Sequence, residues 1–184
     1  MIPLIIIGAI VVILIIWFVA SYNSFVTLRN NVKEGFSTMD VYLKKRWDLI
    51  PNIVETVKGY ASHEKETLEG VTALRNSAYD KMSPEDKIAA NQDMTGALSR
   101  LLMLSENYPD LKANQNFMDL SAQLKKIEED IANARKYYNA VVKKLNNKVQ
   151  MFPSNIIARM FKFTEEKMFE VTSEAERENV KVEF

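Results

Sequence analysis

Residues 2–20 read IPLIIIGAIVVILIIWFVA, an apolar stretch without a charged side chain. An α-helix rises about 1.5 Å per residue, so these residues can cross a bilayer core about 30 Å thick. A helix also satisfies its own backbone hydrogen bonds within lipid. Pro3 falls in the first turn, where its missing N–H costs nothing. The stretch therefore predicts a transmembrane helix, and we assign residues 1–21 to a membrane anchor.

A buried core helix and a cleaved signal peptide are the two alternatives for this stretch. A core helix that is apolar on every face is rare in a chain of 184 residues. A signal peptide has basic residues before its apolar run and a small-residue cleavage site after it, and neither pattern occurs here. A retained anchor is therefore favoured. Its lipid contacts are expected to include one terminal residue and several aromatic residues near the headgroups: Ile2, Trp17, Phe18 and Tyr22.

The composition narrows the class of protein. Lys and Arg together number 24, as do Asp and Glu, so the net charge is zero and no basic excess points to nucleic acid. Cysteine is absent, which excludes disulfides, thiolate nucleophiles and cysteine-ligated metals. Only five glycines and five prolines occur, which favours an all-helical chain.

The basic residues beside the apolar stretch predict its orientation. Only the α-amino group precedes the stretch, whereas Arg29 and Lys33 follow it closely. Basic residues concentrate on the cytoplasmic side of bacterial membrane proteins. We therefore expect a single-pass membrane protein, with its N-terminus outside and its helical domain in the cytoplasm.

Apolar residues at helical spacing continue from Phe25 to Ala78, which predicts a first helix over residues 22–79. Pro51 falls inside this pattern. A proline within a helix removes a hydrogen bond and clashes with the carbonyl four residues earlier, so we expect a kink near residue 51. A complete break at residues 48–51 is the alternative.

Three further helices are predicted, over residues 84–107, 111–152 and 154–171, with a polar tail at residues 172–184. Ser83, Pro84 and Asp86 resemble an N-terminal capping box. Short connections between long helices favour antiparallel neighbours. We therefore expect an all-α fold, in which a single N-terminal transmembrane helix precedes an elongated, up-and-down helical bundle over residues 22–170 with long coiled-coil-like helices.

The sequence offers no recognisable reaction centre. A di-metal site in a helical bundle needs two Glu-x-x-His pairs, and His63 is the one histidine of the chain. The glycines are scattered singly, so there is no phosphate-binding loop, and no nucleophile elbow occurs. We therefore expect a protein that is not an enzyme and that has no catalytic residues, metal or cofactor.

Two groups of polar residues interrupt the apolar helices. The first polar cluster comprises Arg46, Asp48, Pro51, Asn52, Glu55, Lys58, Tyr60, His63 and Glu64. The second polar cluster comprises Arg135, Tyr137, Tyr138 and Asn139. Such residues can satisfy backbone groups and pair across helices, which is a structural role. They can also form a surface that binds a partner, and tyrosine suits either role.

Several motifs are similar to those of a known family. The most specific are residues 48–52, DLIPN, and residues 107–114, NYPDLKAN. Others are residues 22–23, YN; 28–30, LRN; 41–47, VYLKKRW; 56–60, TVKGY; 63–64, HE; 134–139, ARKYYN; and 152–155, FPSN. In these segments, which extend over nearly the whole chain, the protein resembles the LemA family.

The resemblance implies a bacterial single-pass membrane protein with an outside N-terminus and a cytoplasmic antiparallel helical bundle. It implies no active site, and some members of the family are associated with internal membrane formation. Our first hypothesis is a scaffold that self-associates and organises or shapes the membrane, with lipid and further copies of the chain as partners. The alternative is an adaptor that recruits a membrane protease or signalling protein through polar faces of the bundle.

Overall fold

The computed structural model describes residues 2–75 and 79–169, and this part of the chain is all-helical, as predicted. The elements are α1 (Ile2–Lys58), α2 (Lys65–Arg75), a 3-10 turn (Tyr79–Lys81), α3 (Pro84–Ser105), α4 (Pro109–Lys112), α5 (Gln115–Gln150) and α6 (Ser154–Phe161). After α6, residues 163–169 have no regular secondary structure, and we name them the C-terminal strap.

Helix α1 begins within the predicted anchor. Its most apolar window has a mean hydropathy of 3.2, and none of that window is buried in the chain. Among the described residues, α1 is the one helix with the length and composition to cross a membrane. A core helix of a soluble protein would bury such residues, so lipid accounts for their exposure better than water does.

The predicted end of the first helix is wrong. Helix α1 continues through Pro51 but ends at Lys58, and α2 begins only at Lys65. Gly59 follows the last helical residue, and the amide of Ala61 donates to the Val57 carbonyl at 2.8 Å in the turn. Glycine is a poor helix former, which favours termination here. The prediction joined α1 and α2 into one helix because α2 has its own apolar residues at a similar helical spacing.

The predicted boundaries of the later helices also need correction. The predicted third helix divides, because the side chain of Asn114 accepts a hydrogen bond from the Phe117 amide at 3.0 Å and caps the start of α5. The last helix ends at Phe161 rather than near residue 171. The final residues of that predicted helix, and the predicted polar tail, lie outside the described residues.

The chain divides into two compact units. The central unit is Ser37–Ala134, and the terminal unit combines Met1–Phe36 with Arg135–Phe184. In the central unit, Arg46 of α1 pairs with Glu128 of α5, whereas the later Tyr60 bonds Asn114, which directly precedes α5. The two helices are therefore antiparallel there. The buried core of this unit includes Met39, Leu43, Trp47, Ile50, Ile53, Val57, Leu68, Val71, Met94, Leu98, Leu101, Leu111, Phe117, Leu124 and Ile131.

In the terminal unit, the first part of α1 packs against the second part of α5. Gly35 allows a close approach, since a Cβ atom at this position would lie 3.4 Å from the ring of Tyr137 and from the backbone of Tyr138. The buried core of this unit includes Phe25, Val32, Tyr138, Val141, Val142, Leu145, Ile157, Phe163 and Phe169.

Candidate functional site

Arg46, from the first polar cluster, lies in the interior of the central unit. Its side chain is only 2% exposed. Nη1 donates to Glu128 Oε1 at 2.6 Å and to Thr95 Oγ1 at 2.9 Å. Nη2 donates to the backbone and side-chain oxygens of Asn91, each at 2.6 Å. A buried guanidinium is costly unless its charge and donors are satisfied. These partners from α3 and α5 satisfy the charge and both Nη atoms, whereas Nε makes no hydrogen bond within the described residues.

A second group of polar contacts lies in the same unit. Asp40 accepts hydrogen bonds from Tyr79 Oη and from Lys87 Nζ, each at 2.8 Å. Lys87 Nζ also lies 4.8 Å from the centre of the Tyr79 ring. The Trp47 ring packs on the same Tyr79 ring, with 5.1 Å between their centres. We name Asp40, Arg46, Tyr79, Lys87, Asn91, Thr95 and Glu128 the polar network.

Charge and burial determine what this network can do. Burial, followed by the hydrogen bond to Asp40, raises the pKa of Tyr79 far above its usual value, so this phenol remains a hydrogen-bond donor. Arg46 and Lys87 each have a carboxylate partner. Within the described residues, no three His, Asp or Glu side chains converge closely enough to hold a metal ion. The network therefore connects α1, α3 and α5 with its charges neutralised internally.

The other helical members of the first polar cluster are outside this network. Asp48 pairs with Lys44 on the surface of α1 at 2.7 Å, and Glu55 lies 3.9 Å from Lys58. Exposed pairs of this kind contribute little to stability. Asn52 is exposed and Pro51 is half-buried. The sequence placed these residues together, but helical geometry directs Arg46 inward and Asp48 and Asn52 outward.

The last three members of that cluster lie in and beside the turn between α1 and α2. Asn114 donates to Tyr60 Oη at 2.9 Å, and Tyr108 Oη donates to Glu64 Oε1 at 3.1 Å. The hydrogen bond to Glu64 raises the pKa of Tyr108. His63 is exposed. These contacts join the turn after α1 to the segments on either side of α4.

A surface groove of about 580 Å³ lies between the end of α1 and α2. Val54 and Leu68 supply apolar lining, and Glu55, Lys58, Lys65 and Glu69 supply charged groups. We name it the α1–α2 groove. Its mixture of apolar and charged residues resembles a protein-binding surface more than a catalytic pocket.

The second polar cluster holds the C-terminal strap. Asn139 Nδ2 donates to the Phe169 carbonyl at 2.9 Å, and Asn139 Oδ1 accepts from the Phe169 amide at 2.8 Å. Tyr138 Oη donates to the carbonyl of Lys167 at 3.0 Å. The guanidinium of Arg135 lies 4.6 Å from the centre of the Phe169 ring. Tyr137 remains exposed beside Gly35, so three of the four residues of the cluster contact the strap.

A second asparagine that bonds the strap was not predicted from the sequence. Asn146 lies two helical turns after Asn139, and it bonds both the carbonyl and the amide of Glu166, at 2.8 and 2.9 Å. The Phe163 ring stacks on Phe25 with 4.8 Å between centres. The seven-residue spacing of the two asparagines is the signal that was available, although by itself it does not identify a partner.

The predicted aromatic anchor residues lie against α6 and the end of α5. Phe18 and Tyr22 pack on Phe161, with ring centres 5.9 and 4.6 Å apart. Trp17 lines a cleft beside the end of α5. Ile2, at the other end of the apolar stretch, is 74% exposed.

Comparison with known proteins identifies the family. The LemA family profile matches residues 35–184. This chain belongs to the LemA family. A LemA protein of Metamycoplasma hominis is 28% identical over 167 residues, which cover 89% of this chain and 74% of that protein.

This LemA family member is also similar to magnetosome proteins. A MamQ protein of Paramagnetospirillum magneticum is 24% identical over 81% of this chain, and one of Magnetospirillum gryphiswaldense is 23% identical over 77% of it. The chain spans 64% and 62% of those two proteins, slightly less than two thirds of each. Family membership and the apolar helix α1 together make this a membrane-associated LemA protein.

Proposed function

We propose that this protein is a non-enzymatic, membrane-anchored scaffold that self-associates through its helical bundle and organises or shapes the bacterial membrane. The observation that carries the proposal is the continuity of α1, which passes without interruption from the apolar anchor to Lys58 in the central unit. No flexible linker therefore separates the anchor from the bundle. Lipid and further copies of the chain are the proposed partners.

Exposed apolar side chains in the central unit support self-association. Val41 of α1, Met103 of α3 and Met118 of α5 are 52%, 64% and 44% exposed. Methionine is enriched in protein interfaces, where its flexible side chain adapts to a partner surface. The internal neutralisation of the polar network also supports a structural role over a catalytic one. The similarity to magnetosome MamQ proteins supports a role at a membrane.

Sizing and imaging test this proposal together. The full chain purified in detergent should elute as an oligomer, and it should form ordered assemblies on lipid bilayers. Met103→Glu with Met118→Glu should weaken both oligomerisation in detergent and assembly on bilayers, because charge at an interface centre is costly. Asp93→Glu with Asp119→Glu, at exposed sites on the same two helices, is the control and should change neither. A monomer at micromolar concentration that forms no assemblies on bilayers would contradict the scaffold.

The proposed topology places the helical domain in the cytoplasm. The chain has no native cysteine, so Arg100→Cys introduces a single label site at an exposed position of α3. In intact cells this thiol should resist a membrane-impermeant reagent and should react after lysis. Labelling in intact cells would show that the domain lies outside.

An adaptor is the second candidate function, and the α1–α2 groove favours it. A membrane protease or signalling protein with a complementary charged segment would be its partner. Glu55→Lys with Glu69→Lys should abolish capture of such a partner from detergent-solubilised membranes while leaving helicity and oligomer size unchanged. Glu129→Lys, at an exposed site outside the groove, is the control. Capture that survives the groove substitutions counts against this candidate.

A further inference from the structure

A cleft of about 600 Å³ lies in the terminal unit, where the anchor joins the bundle. Trp17 and Ser21 of α1 line one side, and Lys144, Lys148 and Phe152, from α5 and the turn after it, line the other. This volume is within the range of small-molecule binding pockets. Because Trp17 is among the last residues of the apolar stretch, a membrane that contains the anchor would have its headgroups at this level.

Ser21 lines this cleft, and its hydroxyl oxygen is buried. Ser21 is 7% exposed, and its Oγ makes no hydrogen bond within the described part of the chain. A serine in a helix usually donates to a carbonyl one turn earlier, and a buried hydroxyl without a partner is costly. A rotation of the Ser21 side chain towards the cleft would expose the hydroxyl, and a ligand oxygen there would then give it an acceptor.

Two lysines give the cleft a positive charge. Neither Lys144 nor Lys148 has a carboxylate within ion-pair distance among residues 2–75 and 79–169. Lys148 is half-buried, and burial lowers its pKa. Its Nζ lies 5.2 Å from the centre of the Phe25 ring, which is a weak partner for an ammonium group. An anion in the cleft would balance both charges.

Apolar groups continue from the cleft towards the anchor. Phe152 is 78% exposed and Met151 is 61% exposed, and both line the cleft with Trp17. A soluble anion would leave these side chains in water. A lipid would cover them with acyl chains while its headgroup reached the lysines, which is the usual division of apolar and basic groups at a membrane surface.

We propose that this cleft binds an anionic phospholipid, with its phosphate held by Lys144, Lys148 and the Ser21 hydroxyl and its acyl chains along Trp17 and Phe152. The site rests on the membrane insertion of α1 proposed above. It gives the scaffold a preference for anionic lipid beside each anchor. Soluble phosphates carry the same charged group as the lipid. The apolar side chains of Trp17 and Phe152 favour the lipid, because only a lipid has acyl chains to cover them.

Tryptophan fluorescence tests the site directly. The chain has two tryptophans, so Trp47→Phe leaves Trp17 in the cleft as the one reporter. The full chain is reconstituted in phosphatidylcholine vesicles that contain a minor fraction of a lipid with brominated acyl chains, which quenches nearby indole. Brominated phosphatidylglycerol should quench Trp17 at about tenfold lower fraction than brominated phosphatidylcholine, since each nearby lysine favours anionic lipid.

High salt separates a built site from general attraction to a charged surface. At about 1 M salt the Debye length is about 3 Å, so attraction between exposed charges is lost. Lys144 is exposed and Lys148 is half-buried, so the preference for phosphatidylglycerol should weaken there but persist through Lys148. Lys144→Gln with Lys148→Gln should abolish it. Ser21→Ala should reduce it by about fivefold. The control is Lys33→Gln with Lys143→Gln, two exposed lysines of the same unit that do not line the cleft, and it should retain the preference.

Three results of the quenching experiment would contradict the lipid site, and each has a different meaning. Equal quenching by the two brominated lipids would overturn the lipid site while showing that the anchor is inserted. No quenching by either lipid would overturn both insertion and the site. Displacement of the preferred lipid by inorganic phosphate would show that the cleft takes a soluble anion instead. If Trp47→Phe does not fold, spin-labelled phosphatidylglycerol and phosphatidylcholine provide the same comparison on the natural chain, through the fraction of each lipid that is motionally restricted.

Discussion

The guanidinium of Arg46 lies 2.6 Å from the carboxylate of Glu128, and this ion pair joins α1 to α5 inside the central unit. Arg46 is 2% exposed whereas Glu128 is 36% exposed, so the cost of removing Arg46 lies mainly in the interior groups that lose a donor. Arg46 also satisfies Asn91 and Thr95. The polar network is therefore the place where single substitutions should affect stability most.

Arg46→Ala should destabilise the full chain by about 2 kcal/mol, since it breaks a part-buried ion pair and the hydrogen bonds to Thr95 and Asn91. The measurement is thermal unfolding in detergent, followed by circular dichroism. Arg100→Ala makes the same substitution at an exposed position of α3 and should change stability by less than about 0.5 kcal/mol. Equal effects of the two substitutions would show that the network contributes no more than an ordinary surface charge.

Asn139→Ala should loosen the C-terminal strap without unfolding the bundle. It removes both hydrogen bonds to the backbone of Phe169, and such bonds contribute about 1–2 kcal/mol together. Hydrogen exchange at the Phe169 amide should therefore become about tenfold faster. Asn133→Ala changes an exposed asparagine of the same helix and should leave exchange unchanged. Unaltered exchange in Asn139→Ala would mean that the other contacts of the strap keep Phe169 in place without Asn139.

Gly35 and Gly96 should respond in opposite ways to larger side chains. A Cβ atom at Gly96 meets nothing within 4 Å, so Gly96→Ala should stabilise the chain by about 0.5–1 kcal/mol through helix propensity. Gly35→Leu should destabilise it by about 1–3 kcal/mol, because the added atoms meet Tyr137 and Tyr138. Thermal unfolding measures both. Tolerance of leucine at residue 35 would show that α1 and α5 separate easily.

Stability should fall at alkaline pH through Tyr79. Folding raises the pKa of this phenol, whereas in the unfolded chain it loses its proton near the usual value of about 10. The stabilisation is therefore complete below about pH 10 and decreases as the pH rises further, by about 1.4 kcal/mol per pH unit. Thermal unfolding on both sides of that pH measures the decrease.

Tyr79→Phe should make that alkaline decrease shallower, although it also lowers stability at neutral pH by removing the hydrogen bond to Asp40. Tyr137→Phe removes an exposed hydroxyl and is the matched control. If the natural chain and Tyr79→Phe lose stability in parallel, the alkaline transition belongs to other groups.

Local patterns in the sequence were sufficient for the helical class, the apolar start of α1 and the N-terminus of α3. At that helix start, the Ser83 side chain accepts a hydrogen bond from the Asp86 amide at 3.1 Å, as the capping pattern predicted. These features depend on residues within a few positions of one another. For that reason a single sequence contains the whole signal.

Contacts between distant residues were decided only by the tertiary structure. Arg46 and Asp48 are neighbours in the sequence, yet one pairs with Glu128 in the interior and the other pairs with Lys44 on the surface. The strap likewise follows Asn139 and Asn146 because their side-chain amides bond backbone groups of the strap, which an apolar pattern does not indicate. Hydrophobic periodicity reports which face of a helix is buried, whereas the identity of the group that meets each polar side chain depends on how the helices pack.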